Sequence, residues 1–159
     1  MKYNGIELEI RPGADFYNRD LRGVGFQYAN LQQSDFLYAN LQQSDFYKSD
    51  LRGACFSGAK LRGANFQHAD LREVNFHKAD CYEADLSWSN LSKANLCEVN
   101  FYMANLREAD LEGAYLVGAN LYLADLYGAN LRGAILDPVG RERAKRYGAF
   151  LSPIGLEAH

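Results

Sequence analysis

Residues Leu121-Tyr122-Leu123-Ala124-Asp125, Leu126-Tyr127-Gly128-Ala129-Asn130 and Leu131-Arg132-Gly133-Ala134-Ile135 repeat one five-residue phrase three times. Extending it in both directions divides the chain from Ala14 to Pro138 into 25 consecutive pentads with no inserted residue. Each pentad reads small, polar, centre, first corner, second corner. The centres, at positions 16, 21, 26 and onward to 136, are 16 Leu, 8 Phe and Cys81. The small residues two places earlier are 17 Ala, 4 Ser, 3 Val and Arg19, and the polar residues between them include 10 Asp and 10 Asn.

Neither a straight helix nor a straight strand can keep these centres together. A helix turns about 100° per residue, so a step of five carries the centres around the whole cylinder; in a strand an odd step flips sides each time. The period requires a backbone that changes direction once per pentad, with every centre and small residue facing a common axis. That is a solenoid. Eight of the glycines occupy the second corner slot (Gly23, Gly53, Gly58, Gly63, Gly113, Gly118, Gly128 and Gly133), where a type II turn needs positive φ. Elsewhere the slot holds residues such as Tyr, Gln, Lys, His or Glu, so those corners are expected to use a different turn type.

The number of sides follows from the Phe pattern. From Phe16 to Phe76 the centres alternate Phe and Leu. With four sides, Phe16, Phe36, Phe56 and Phe76 stack on one another, as do Phe26, Phe46 and Phe66; with three sides every Phe lands on Leu. Like on like favours four, which gives slightly more than six coils of twenty residues, each rising by about 4.8 Å. Cys81 fits the same register, because the large Phe101 lies twenty residues on and fills the space beside a small centre.

The pattern Ala/Ser, Asp/Asn, Leu/Phe, X, X resembles the pentapeptide repeat family over residues 14–138. The resemblance implies an all-β fold, a right-handed four-sided parallel β-helix, and its handedness rests on the resemblance alone. Family members are abundant in bacteria and most have no established activity; a minority imitate duplex DNA and protect or inhibit DNA gyrase.

Three segments are expected: an N-terminal cap over 1–13, the β-helix over 14–138, and a C-terminal capping helix with its tail over 139–159. At the N-terminus Tyr3-Asn4-Gly5 reads as a turn, and Ile6, Leu8 and Ile10 alternate with Glu7 and Glu9 as a short strand covering the first coil. Arg19, in an inward slot, is expected to extend its guanidinium out at the open end. At the other end Asp137 reads as an N-cap, Pro138 as the first helical turn and Gly148 as the stop. The polar side of that helix carries Arg141, Arg143, Lys145 and Arg146, while Val139, Ala144, Tyr147, Phe150 and Leu151 are expected on the last coil. Ser152 to His159 read as a loose tail.

Composition narrows the functional classes. A net charge of -3 and a pI near 5.6 argue against general nucleic-acid binding. No apolar run of membrane-spanning length and no export signal are read. Cys55, Cys81 and Cys97 follow no metal-ligand spacing, which suggests free thiols in a reducing cytoplasm. Outward side chains form ladders at intervals of twenty, so Ser57, His77 and Cys97 share one. A flat face supplies neither a pocket nor oxyanion donors, and no catalytic, cofactor or metal residues are expected. The Asp and Asn column is read as satisfying corner amides, with local pairs Asp20/Arg22, Asp50/Arg52 and Asp70/Arg72. The repeat region carries 11 Lys and Arg against 16 Asp and Glu, a modest acidity for a DNA mimic.

An interaction surface has more local support. Tyr82, Tyr102 and Tyr122 share a ladder with Met103 and Leu123 beside it, a patch of the size that marks a partner site; tyrosine stacking also serves lateral stabilisation, and both readings stay open. The expectation is a non-enzymatic cytoplasmic scaffold that binds an unidentified protein through Tyr82, Tyr102, Met103, Tyr122 and Leu123. No direct nucleic-acid contact and no membrane association are expected, and a homodimer through an end of the rod stays open. The rival is a gyrase-directed DNA mimic.

Overall fold

In the computed structural model, residues 2–3 and 6–151 are described, with side chains from residue 8 onward. From Asp15 to Tyr115 every residue preceding a centre forms a single-residue parallel bridge with the residue twenty positions on, beginning with Asp15 to Asp35 and ending with Tyr115 to Ile135. Twenty residues per coil at five per side make four faces. We call them A (centres Phe16 to Leu136), B (Leu21 to Leu121), C (Phe26 to Leu126) and D (Leu31 to Leu131).

Every centre from Phe16 to Leu131 is buried, as are nearly all of the small residues. Phe36 and Phe56 stack on face A at 4.6 Å with an interplanar angle of 2°, and Phe46 and Phe66 on face C at 4.8 Å and 0°. Rings on adjacent faces meet edge to face, as Phe46 and Phe56 do at 5.6 Å. Both arrangements suit the aromatic quadrupole. Ser44, Ser49 and Ser89, buried in small slots, donate their hydroxyls to the carbonyls of Leu41, Phe46 and Leu86, as burial of a polar group requires.

Through the interior of the rod four of the five amides of a pentad have a fixed backbone acceptor. The centre donates to the next coil (Phe26 to Asp45 O, 2.6 Å), the second corner residue does likewise (Tyr28 to Tyr47 O, 2.9 Å), and the polar residue donates to the coil before (Asp45 to Val24 O, 3.0 Å). The small residue closes the turn (Ala29 to Phe26 O, 3.1 Å). In most pentads the first corner amide donates to the Asp or Asn side chain two residues back, as Leu37 N does to Asp35 Oδ1 at 2.8 Å.

The corners differ from expectation. All 24 second corner residues from Asn18 to Gly133 have positive φ, the 16 non-glycine ones between 52° and 61°. One turn type therefore serves the whole rod. The twenty-residue register sets the corner geometry, because the second corner amide must point along the rod to reach the next coil, and side-chain preference yields to it.

At the N-terminus β1 (Lys2–Tyr3) pairs antiparallel with β2 (Ile6–Glu7), Tyr3 opposite Ile6. The strand ends at Glu7 rather than reaching Ile10, while Leu8 is buried and Ile10 packs against the core. Asn4 and Gly5 of the expected turn lie outside the described residues. Arg19 is exposed.

At the far end β3 (Asn130–Leu131) is followed by helix α1 (Pro138–Arg146) and then β4 (Phe150–Leu151). β4 pairs parallel with β3, Leu131 beside Leu151, so the chain re-enters the twenty-residue register after the helix. The helix buries Gly140 and Ala144, and Tyr147 and Leu151 pack against the core. Val139 and Phe150, expected on the last coil, are both 59% exposed. Phe150 occupies the outward polar slot of face D, and Val139 lies off the Gly140–Ala144 stripe. Residues 152–159, expected as a tail, lie outside the described residues.

Candidate functional site

The corner between faces B and C carries the expected contact residues. Tyr82 and Tyr102 stack at 5.5 Å and 9°, and Tyr102 and Tyr122 at 5.8 Å and 23°. Rings at the same corner slot of successive coils are held one inter-strand spacing apart, which is close to a stacking distance. Arginines close both ends of the column. The Arg62 guanidinium lies 4.4 Å from the Tyr82 centroid, and Arg143 of α1 lies 5.6 Å from that of Tyr122. Such contacts contribute about 0.5–1 kcal/mol each at exposed sites.

Met103 and Leu123 occupy the neighbouring second corner slots, exposed at 44% and 50%. The Tyr82 hydroxyl lies 3.9 Å from Met103 Sδ. A hydrogen bond with the Glu83 carboxylate raises the Tyr82 phenol above its ordinary range, against the lowering influence of Arg62. The five residues thus form one continuous strip. It offers aromatic and thioether surface with a cation at each end.

The Ser57, His77, Cys97 ladder does not assemble a nucleophile. The Ser57 hydroxyl donates to the His77 carbonyl at 3.0 Å, and the His77 ring pairs through Nδ1 with the Cys97 carbonyl at 3.2 Å. Cys97 Sγ faces the Tyr115 carbonyl at 3.8 Å. Each side chain bonds a backbone carbonyl, so none activates another. Burial pushes the Cys81 thiol well above its ordinary pKa. Among the described residues no group of three or more His, Cys, Asp or Glu is arranged to hold a metal ion.

The carboxylate column is engaged with the backbone and with arginines. Arg52 grips Asp50 bidentately at 2.9 and 2.7 Å, and Arg72 grips Asp70 at 2.8 and 2.6 Å. The hydrogen bond from Arg52 holds the Asp50 carboxyl below its ordinary range. Between coils Asn amides donate to the Asx oxygen of the coil before, as Asn100 does to Asp80 at 2.8 Å and Asn120 to Asn100 at 3.0 Å.

Two further surface features are present, and the twenty-residue ladder in the sequence already joins His68 and Trp88 of the first. One is a run of aromatics, Tyr28, Tyr47, His68 and Trp88, meeting in turn at 5.7, 5.8 and 6.2 Å along the C–D corner. The other is the pair Tyr115 and Ile135, which replace Asp or Asn in the polar column of face A and are 49% and 48% exposed. Adding twenty to Tyr115 would have found the second.

A family model described as pentapeptide repeats matches the chain over residues 26–63, 54–92, 79–114 and 104–137. Among solved structures the chain is similar to HetL, a pentapeptide repeat protein involved in heterocyst differentiation regulation in the cyanobacterium Nostoc sp., at 30% identity and a TM-score of 0.48. That likeness covers 80% of this chain and 64% of HetL, so the chain spans about two thirds of that relative's length. A pentapeptide repeat protein of the Arabidopsis thaliana thylakoid lumen is 29% identical over 83% of this chain and 79% of its own, with a TM-score of 0.49. QnrB1, a plasmid-mediated fluoroquinolone resistance protein, is 16% identical over 87% of this chain and 91% of its own, with a TM-score of 0.56. No curated protein matches.

Proposed function

The chain belongs to the pentapeptide repeat family, whose members fold as right-handed quadrilateral β-helices and are generally structural or interaction scaffolds, and from that premise we propose that it is a rigid rod that binds a partner protein through Tyr82, Tyr102, Met103, Tyr122 and Leu123. One observation carries the reading. Three stacked tyrosines held between two guanidinium groups lie beside a Met and a Leu that are about half exposed. Rigid aromatic and Met surface is the composition enriched at the centre of protein interfaces. The strip is ordered by the coil register before any partner arrives, so docking forfeits little side-chain entropy. Three free cysteines fit a reducing compartment, and we take the cytoplasm as the site of action.

The rival reading, a gyrase-directed DNA mimic, draws support from the acidic repeat region. Against it, the acidity is modest, and Asp20, Asp50, Asp70 and Asp125 are paired with arginines that offset part of it. A supercoiling assay with purified gyrase separates the two: the scaffold reading expects unchanged activity at excess protein, and inhibition or protection would replace it. The strip itself is tested by Tyr102→Ser with Met103→Ser. The variant should keep its circular dichroism spectrum and lose the proteins that the wild-type chain retains on a column; an unchanged retained set removes the assignment.

A further inference from the structure

Face A breaks the pentad rule in its last two coils. Where 20 of 25 pentads place Asp or Asn, Tyr115 and Ile135 bridge each other and leave large apolar side chains half exposed, with Val117 on the adjoining corner 47% exposed. The substitution forgoes the Asx oxygen that would serve the Val117 amide. Arg132, exposed on the corner just before Ile135, has no ion-pair partner among the described residues.

The opposite end of the same side is its complement. Tyr17 and Tyr38, exposed at 52% and 57%, meet edge to face at 6.4 Å on the A–B corner. Asp15 and Asp35 stack beside them in the face A column. Their carboxylates accept from their own corner amides, Tyr17 N and Leu37 N, at 2.9 and 2.8 Å, and meet no cation among the described residues. Among the described residues this side of the rod thus carries aromatic rings and two carboxylates free of cations at its start, and apolar side chains with the unpaired Arg132 at its end.

We propose that face A is the interface of a side-by-side antiparallel homodimer. A two-fold axis in the plane of the interface, perpendicular to the rods and level with Asn75, sets the last two coils of each copy against the first two of the other. Such an interface is isologous, so each complementary pair is made twice. Tyr115 then faces Asp35 and can donate its hydroxyl to the carboxylate, Arg132 reaches Asp15, and Tyr17 and Tyr38 cover Ile135 and Val117. Six coils at about 4.8 Å and a face with its corners about 16 Å wide bury roughly 450 Å² per copy. The total of about 900 Å² lies below the range of stable interfaces and within that of weak ones, so the dimer forms at micromolar rather than nanomolar concentration. The surface is distinct from the tyrosine strip on the B–C corner, and neither depends on the other.

The test is sedimentation velocity on the full chain from about 1 to about 500 µM. Dimer should accumulate with concentration. Tyr115→Asn restores the Asx acceptor, so its thermal midpoint should equal or exceed that of the wild type while the dimer dissociation constant rises at least about tenfold. Arg132→Glu should weaken the dimer similarly, and adding Asp15→Arg should restore it, because the swap re-forms the pair in reverse only if the rods are antiparallel. A chain monomeric throughout, a Tyr115→Asn variant that associates like the wild type, or a charge swap without rescue overturns the proposal.

Discussion

A side chain held at positive φ costs about 1–2 kcal/mol relative to the right-handed region, yet Lys93, Trp88 and Leu123 all sit there, at φ 58°, 61° and 58°. The cost is borne because the alternative is worse. Releasing Lys93 from that conformation would break its amide bond to the Glu112 carbonyl at 2.9 Å and leave the neighbouring coil unpaired. Lys93→Gly should therefore stabilise the fold by about 0.5–1 kcal/mol, the relief of strain being partly offset by the greater freedom of glycine in the unfolded chain. Gly118→Ala should cost about 1 kcal/mol or more, since φ is 74° and the added Cβ would lie 3.2 Å from Glu98 Cγ. Chemical denaturation of the two variants checks both signs. The glycine corners were readable from residue type; the corners at Trp88 and Leu123 were not, because bulky residues ordinarily argue against positive φ and only the inter-coil register overrides them.

Among the elements, the junction from coil to helix hangs on Asp137. Its Oδ1 accepts from Gly140 N at 2.8 Å, capping α1, while Oδ2 accepts from Gly118 N at 2.9 Å, tying the cap to the coil below. The Gly140 amide, followed by that of Gly118, holds the Asp137 carboxyl below its ordinary range. A carboxylate whose folded pKa is depressed contributes stability above its unfolded pKa and loses it as pH falls through the folded value. Asp137→Ala should then cost about 1–2 kcal/mol at neutral pH, and the gap to the wild type should narrow below about pH 4. Asp137→Asn, which keeps a cap oxygen, should lose less and show a smaller pH dependence. Thermal melts of the three proteins from neutral pH into acid measure both. The cap was legible as an Asp-Pro pair before an apolar stripe. The return of Phe150 and Leu151 to the coil register was not, because a helix intervenes and the pentad phase is interrupted by it.

At the scale of the whole molecule the rod is close to one-dimensional: each coil contacts only its neighbours, so opening proceeds from the ends. The Asn75 amide, donating to Ala54 at 3.0 Å near mid-rod, should exchange at least about tenfold more slowly than the Asp35 amide, donating to Ala14 at 2.9 Å in the first two coils. Equal rates measured by hydrogen exchange would mean that the rod opens as one unit. The same geometry turns ladder positions into surfaces, because residues twenty apart are neighbours wherever they fall. By itself the sequence determined the period, the inward column of Leu and Phe, the number of sides and the ladder that carries Tyr82, Tyr102 and Tyr122, since each of these follows from counting along an uninterrupted repeat. Tertiary structure alone decided the common turn at every corner, the arginines that close the tyrosine column, the carbonyl bonds that occupy Ser57, His77 and Cys97, and the exposure of Val139 and Phe150. Those depend on where amides, carbonyls and long side chains meet across coils and across the helical cap, distances that a residue count does not contain.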